Sequence, residues 1–236
     1  MKNQYFGDIN DYMKYSLIRH LNGRGTLSTV VCWVLTNDDS TTDGSRTSYL
    51  LSPGTWGKYD PYLFRCLKNI IQKSKVREVS YIEQTKLLPN SRFFSEIIGD
   101  DFNERSTFFE RFFEFSSGSD FIFFDPDNGF EIKSVRKGGK NSSKYIFLDE
   151  VQKAYELGSS VLVYQHYPRR KRDTFVSSLI FVVTQRTEAQ VIFSYSASNV
   201  LFLLIPQPFH IERFQDYNKN IGNKWGEIIR INEHWV

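Results

Sequence analysis

Cysteine is scarce in this chain. Its 236 residues include two, Cys32 and Cys66, each inside an apolar run and without CxxC spacing. That excludes a disulfide framework and a cysteine-built zinc site, and with no signal-peptide pattern it points to reduced, buried thiols in a cytoplasmic protein. Long hydrophobic runs are also missing. A bilayer span needs about 18 apolar residues, whereas the longest run here, around residues 175 to 184, contains two serines. A soluble protein with no membrane partner is expected. Charge of one sign is weak as well, with 30 Lys and Arg against 27 Asp and Glu, a net +3. No global basic field advertises nucleic acid. The cations are bunched instead, as Arg169-Arg170-Lys171-Arg172 and as Lys133, Arg136, Lys137 and Lys140, which allows a local anionic partner. Repeats and linkers are absent too, so a single α/β domain over residues 1 to 236 is expected.

Aromatic residues are plentiful, and FFERFFEF (108 to 115) would cover more than one face of a helix with rings. That reads as a deeply packed core helix. NDYMKYSLIRHL has apolar residues at 13, 17, 18 and 21 behind Asn10 or Asp11 as a cap, the marks of a leading helix. TVVCWVL (29 to 35) is β-branched and apolar throughout, as a strand covered on both faces would be. The spacing further predicts a helix over 61 to 73, a short strand over REVSYIE (77 to 83) and helix within 91 to 117. FIFF follows as a strand, KYIFLDEVQKAYELG as a helix stopped by Gly158, and SVLVYQH (160 to 166) as a buried strand. A helix over 169 to 183 and the closing strands QVIFSYS and NVLFLLIP complete the pattern. Alternating strands and helices with a terminal hairpin predict a three-layer, mostly parallel, Rossmann-like sheet with a C-terminal antiparallel pair.

In such sheets ligands bind beyond the carboxyl ends of the strands. Those ends read TNDDSTTDG, IEQ, DPDNG and YQHYPRR, so polar side chains gather at one rim: Asp38, Asp39 and Asp43, then Glu83, then Asp125, Asp127 and Asn128, then Gln165, His166 and Arg169. Asp43-Gly44 and Asn128-Gly129 are also ordinary turn formers. Pro126 holds the backbone extended and Asn128-Gly129 turns it, which presents two carboxylates and a carboxamide together. His166, three residues before Arg169, suits a phosphate contact or acid–base work, with a satisfied core histidine as the plain alternative. Pro126-Asp127 and Glu131-Ile132-Lys133 spell the PD and ExK of a nuclease class, but too few residues separate them to form successive strands. Asp38, Asp39, Asp125 and Asp127 could instead share a divalent cation, since clustered carboxylates need one or raised pKa values to coexist.

These blocks resemble the class I S-adenosylmethionine-dependent methyltransferases. The similarity runs more closely to the bacterial 23S ribosomal RNA adenine-N6 methyltransferases of the RlmJ type, with their GNxADxxKH leading helix and DPPY motif. GDINDYMKY (7 to 15) matches the first at Asp11 and Lys14, and DPDN (125 to 128) matches the second at Asp125 and Pro126. The second proline and the aromatic of DPPY are replaced by Asp127 and Asn128, and the Gly-rich cofactor loop is reduced to Asp43-Gly44. The resemblance implies S-adenosylmethionine as cofactor, held by Lys14, Asp43, Gly44 and Glu83, with Asp125, Asp127 and Asn128 facing the target. Lys144, His166, Arg169 and Arg170 would handle the phosphate of a nucleic acid or nucleotide. The chain is also similar to an uncharacterised bacterial family with GDxxDxxKY, LTxDD, DPDNG and YQHxPR blocks. Two other classes fit the same rim: a metal-dependent nuclease or phosphohydrolase, and a non-catalytic binding or sensor protein.

Overall fold

The apolar run from Thr29 forms the strand from which the sheet extends in both directions. The computed structural model describes residues 1–235. In chain order the elements are α1 (Ile9–Leu21), β1 (Thr29–Cys32), α2 (Pro53–Trp56), α3 (Pro61–Lys73), α4 (Ser80–Glu83), β2 (Ser91–Phe94) and α5 (Phe102–Phe115). Then come β3 (Phe121–Phe124), β4 (Gly129–Phe130), β5 (Tyr145–Ile146), α6 (Leu148–Glu156), β6 (Ser160–His166), α7 (Arg172–Thr187), β7 (Val191–Ser196), β8 (Val200–Ile205), α8 (Ile211–Trp225) and β9 (Arg230–Trp235).

Seven strands form one sheet in the order β2-β1-β3-β6-β8-β7-β9. The first four are parallel, β8 runs antiparallel between β6 and β7, and β9 is antiparallel to β7. Side chains alternate across the strands and feed two cores. Val31, Phe121, Phe123 and Leu162 face a cluster with Leu17 of α1, Leu63 of α3 and Trp225 of α8. Val30, Cys32, Ile122, Phe124 and Val163 face a second cluster with Phe108 and Phe112 of α5, Val151 of α6 and Val183 of α7. This is the expected α/β, three-layer architecture. Burial on both faces explains why these strands are apolar at every position, each large side chain contributing about 1.5–3 kcal/mol. The FFERFFEF rings do pack in the core, with Phe108, Phe109 and Phe112 buried.

Four local expectations are corrected. REVSYIE is not a strand: its second half is the single helical turn α4. The second strand is SRFF, inside the segment read as helical, and its half-exposed edge position hid it. The helix begun at Lys144 starts at Leu148, because Tyr145–Ile146 pair with Gly129–Phe130 as β5 against β4. The antiparallel end is three strands, not two, since α8 and β9 follow the hairpin. Among the described residues no helix is long and apolar enough to cross a membrane.

Candidate functional site

Asp8 caps α1 by accepting from the Asn10 backbone N–H, and the helix then carries Asp11 and Lys14 one turn apart on the same side. Unusually for charged groups, both are buried, with side-chain exposures of 2% and 3%. The Lys14 ammonium lies 2.8 Å from Asp11 Oδ1 and 2.6 Å from Asp125 Oδ2, and over the ring of Tyr164. Asp11 Oδ2 also accepts from Gly7 N–H at 2.9 Å and the Tyr15 hydroxyl at 3.1 Å. Burial alone would push the Lys14 ammonium down, but the two carboxylates outweigh it and hold the group charged above the usual lysine range. Asp11 moves up because burial exceeds the help from Lys14.

Asp125 ends β3, and the turn that follows is tied to β6. The backbone carbonyl of Asn128 accepts from His166 N–H and from Gln165 Nε2, both at 3.0 Å, while Gln165 Oε1 accepts from Phe130 N–H at 2.8 Å. Gly129 sits at φ +119°, and a Cβ there would meet Gln165 Oε1 at 2.3 Å, so only glycine lets the carboxamide in. Asp127 accepts from the Thr36 hydroxyl at 2.9 Å and pairs with the α-ammonium of Met1 at 2.8 Å. Burial opposes its ionisation, yet these partners hold its carboxyl below the usual range. The Tyr164 hydroxyl meets His166 Nε2 at 3.0 Å. Burial, then Asp125, raises Tyr164 well above its ordinary value, so it stays protonated. His166 is pushed down by burial first, then by Lys14 and Arg46.

Asp11 and Tyr164 are among the groups that line one cleft of about 410 Å³ beyond the carboxyl ends of β1, β3 and β6. Of the residues expected at the rim, Lys14, Asp43, Gly44, Asp125, Asp127, Asn128 and His166 line it. Others do not. Glu83 belongs to α4 and holds Trp33 Nε1 at 2.7 Å and Ser95 Oγ at 2.5 Å, an anchor for an indole rather than a strand-end acid. Lys144 offers its backbone carbonyl to Asn128 N–H, while its charge acts on Asp100. Arg169 and Arg170 are exposed on the loop after β6, with Arg170 stacked 4.5 Å from the Phe175 ring. The four-aspartate metal site is a correction. Asp38 accepts from Gln4 N–H and Asp39 pairs with Lys2, while Asp125 pairs with Lys14 and Asp127 with the Met1 α-ammonium, and among the described residues no group of three or more His, Cys, Asp or Glu could hold a metal ion.

Several cleft residues escaped the sequence reading. Tyr164 was legible in principle, since it precedes His166 by two positions on a strand and therefore shares its face. Asp8 lies three residues before Asp11 on the turn that opens α1. The cap expected at Asn10 or Asp11 is Asp8 instead, which places Asn10 inside the first turn of α1; Arg46 carried no signal and is brought in by its backbone N–H, which donates to Asp8 at 3.1 Å.

No family model matches the chain, and no curated protein matches it. Among solved structures, the protein LPL1258 from Legionella pneumophila str. Philadelphia 1, of the family model DUF519, is similar over 97% of both chains, with 12% identity and a TM-score of 0.49.

Proposed function

We propose that the cleft is the active site of an S-adenosylmethionine-dependent, methyltransferase-like enzyme acting on a nucleic acid or nucleotide. The observation that carries this reading is convergence: the loop after β1 with Asp43-Gly44, the DPDN turn after β3 and Lys14 of the leading helix open onto one cleft. Its volume lies in the range of small-molecule pockets, roughly 300–1,000 Å³. The residues present fit such a ligand. Gly44 at φ +74° leaves space that a Cβ would close against Tyr5, and the lining residue Asn10 has a buried side-chain oxygen without a hydrogen-bond partner among the described residues. Asp43 and Gly44 would hold the cofactor, which when bound supplies an electrophilic methyl group. Lys14 fixes Asp125 through Oδ2, leaving Oδ1 to accept a hydrogen from a target amine, and Asn128 stands beside it. Methyl transfer asks chiefly for such in-line positioning.

Titration calorimetry with S-adenosylmethionine and S-adenosylhomocysteine on wild type and Asp125→Asn tests the reading. Both proteins should give saturable heat, with methylation of bulk RNA or DNA lost in the variant; a wild type that binds neither compound refutes it.

One observation favours a second reading, a non-catalytic binding protein. Asp125 and Asp127 are each already paired with an internal cation, Lys14 and the Met1 α-ammonium. Cofactor binding without transfer of a tritiated methyl group to any nucleic acid would select it.

A further inference from the structure

The turn Asp125 to Asn128 carries no aromatic ring of its own. The structure places a ring beside that position from another strand. The backbone N–H of His166 donates to Asn128 O, and Gln165 clamps the same carbonyl, so the last residue of β6 is fixed against the turn. The imidazole is oriented as well. Its Nε2 is held by the Tyr164 hydroxyl at 3.0 Å, with the two rings edge-to-face at 86° and 5.1 Å. Tyr164 is itself pinned beneath the Lys14 ammonium, 4.9 Å from its centroid, and is 5% exposed. His166 is half-buried and lines the cleft with Asp125 and Asn128, and its Nδ1 makes no hydrogen bond among the described residues.

The geometry points to His166 as the side chain that contacts the flat ring of the substrate, a nucleobase; this rests on the reading of the cleft given above. A base drawn up to Asp125 for attack on its amine would lie against the turn, where the imidazole offers a π face and one free ring nitrogen. The same observations argue against a phosphate contact. The imidazole is held neutral at pH 7 by its burial and by Lys14 and Arg46, and the guanidinium that lines the cleft is that of Arg46, with Arg169 and Arg170 outside it. Phosphate binding belongs to such guanidinium groups, not to a neutral ring. Tyr164 acts through His166 and is a positioning residue.

The test uses the full chain with adenosine, cytidine and inorganic phosphate as probes, each titrated alone and with excess S-adenosylhomocysteine. His166→Ala should weaken nucleoside binding about tenfold, the effect expected for losing one base-contacting ring. His166→Phe should stay within about threefold of wild type by keeping the ring, whereas Tyr164→Phe should lie between them because the imidazole is no longer held. Phosphate binding should not change. Urea unfolding of each variant confirms that the fold is kept. Equal nucleoside affinity in wild type and His166→Ala, a loss confined to phosphate, or no nucleoside binding by wild type overturns the inference. A nucleoside effect without any S-adenosylmethionine binding supports it while refuting the methyltransferase reading, so the two fail separately.

Discussion

Replacing Lys14 by methionine should unfold the floor of the cleft from within. The side chain is 3% exposed and stands 2.8 Å from Asp11 and 2.6 Å from Asp125. Methionine matches its length but leaves two buried carboxylates facing each other, and Asp125 Oδ2 loses its only hydrogen-bond donor among the described residues. Removing one partner of a buried ion pair costs about 3–5 kcal/mol, a large part of the roughly 5–15 kcal/mol that holds an ordinary domain together. With a urea slope of about 3 kcal/mol/M the midpoint at pH 7 should fall by about 1–2 M. Two controls make the cause visible. Lys14→Met combined with Asp125→Asn removes one of the two stranded charges and should recover more than about 1 kcal/mol, a coupling that only groups in contact show. The penalty should also depend on pH. Burial already raises Asp11 above the ordinary aspartate value, and losing Lys14 raises it further. A carboxyl with a raised folded pKa contributes stability at low pH that is lost as pH rises through that value, so the penalty should be smaller at pH 5 than at pH 7. A penalty under about 1 kcal/mol, or one that does not change with pH or with Asp125→Asn, would refute the claim that the triad is a buried charge network.

Arg105→Ala should cost about 3–5 kcal/mol in urea unfolding. It leaves buried Glu150 without the guanidinium now 2.6 Å from its Oε1 and with the Lys137 ammonium, 3.0 Å from the same oxygen, as its remaining cation, so the loss should sit at the low end of that range. Gly129→Ala should destabilise by at least about 1–2 kcal/mol through its φ of +119°. Measured against Gln165→Ala alone, which already loses the hydrogen bonds to Asn128 O and Phe130 N–H, adding Gly129→Ala should cost only the backbone strain, because the clash is gone. Burial lowers all four histidines, His20, His166, His210 and His234, below the ordinary value of 6.5. The unfolded chain therefore takes up protons first, so their contribution is complete above pH 6.5 and is lost as pH falls towards the folded values. The urea midpoint should be lower at pH 5.5 than at pH 7.5, and an unchanged or higher midpoint would show that the histidines are not buried as described.

What was legible in the sequence follows from how completely each segment is buried. FIFF and SVLVYQH sit in the middle of the sheet, need apolar side chains on both faces, and were read with their correct ends. SRFF is an edge strand with one neighbour, so its composition is free to be mixed, and it was missed. REVSYIE alternates like a strand, but only Val79 and Ile82 are buried, and the spacing of three is that of a helical turn. Ile211, Phe214, Ile221 and Trp225 repeat at helical spacing and would have revealed α8. At the site, strand-end position found Asp125, Asp127, Asn128 and His166 without any contact information. It could not find the partners of these groups, because Lys14 meets Asp125 across 111 residues and no local pattern records such a pairing.

That separation has a consequence for the order in which the chain comes together. At ribosomal rates of about 5–20 residues per second, Lys14 emerges roughly 6–20 s before Asp125 does, the two being 111 positions apart. Helix α1 can form at once, but throughout that interval it carries a cation and an acid that have only each other and water. Strand β3, which brings Asp125, is also the neighbour that covers β1 on its inner edge. The second carboxylate of Lys14 therefore arrives with the strand that pairs with β1, and Tyr164 of β6, whose ring lies beside the ammonium, follows later still, so the lysine is covered in stages as the sheet is extended.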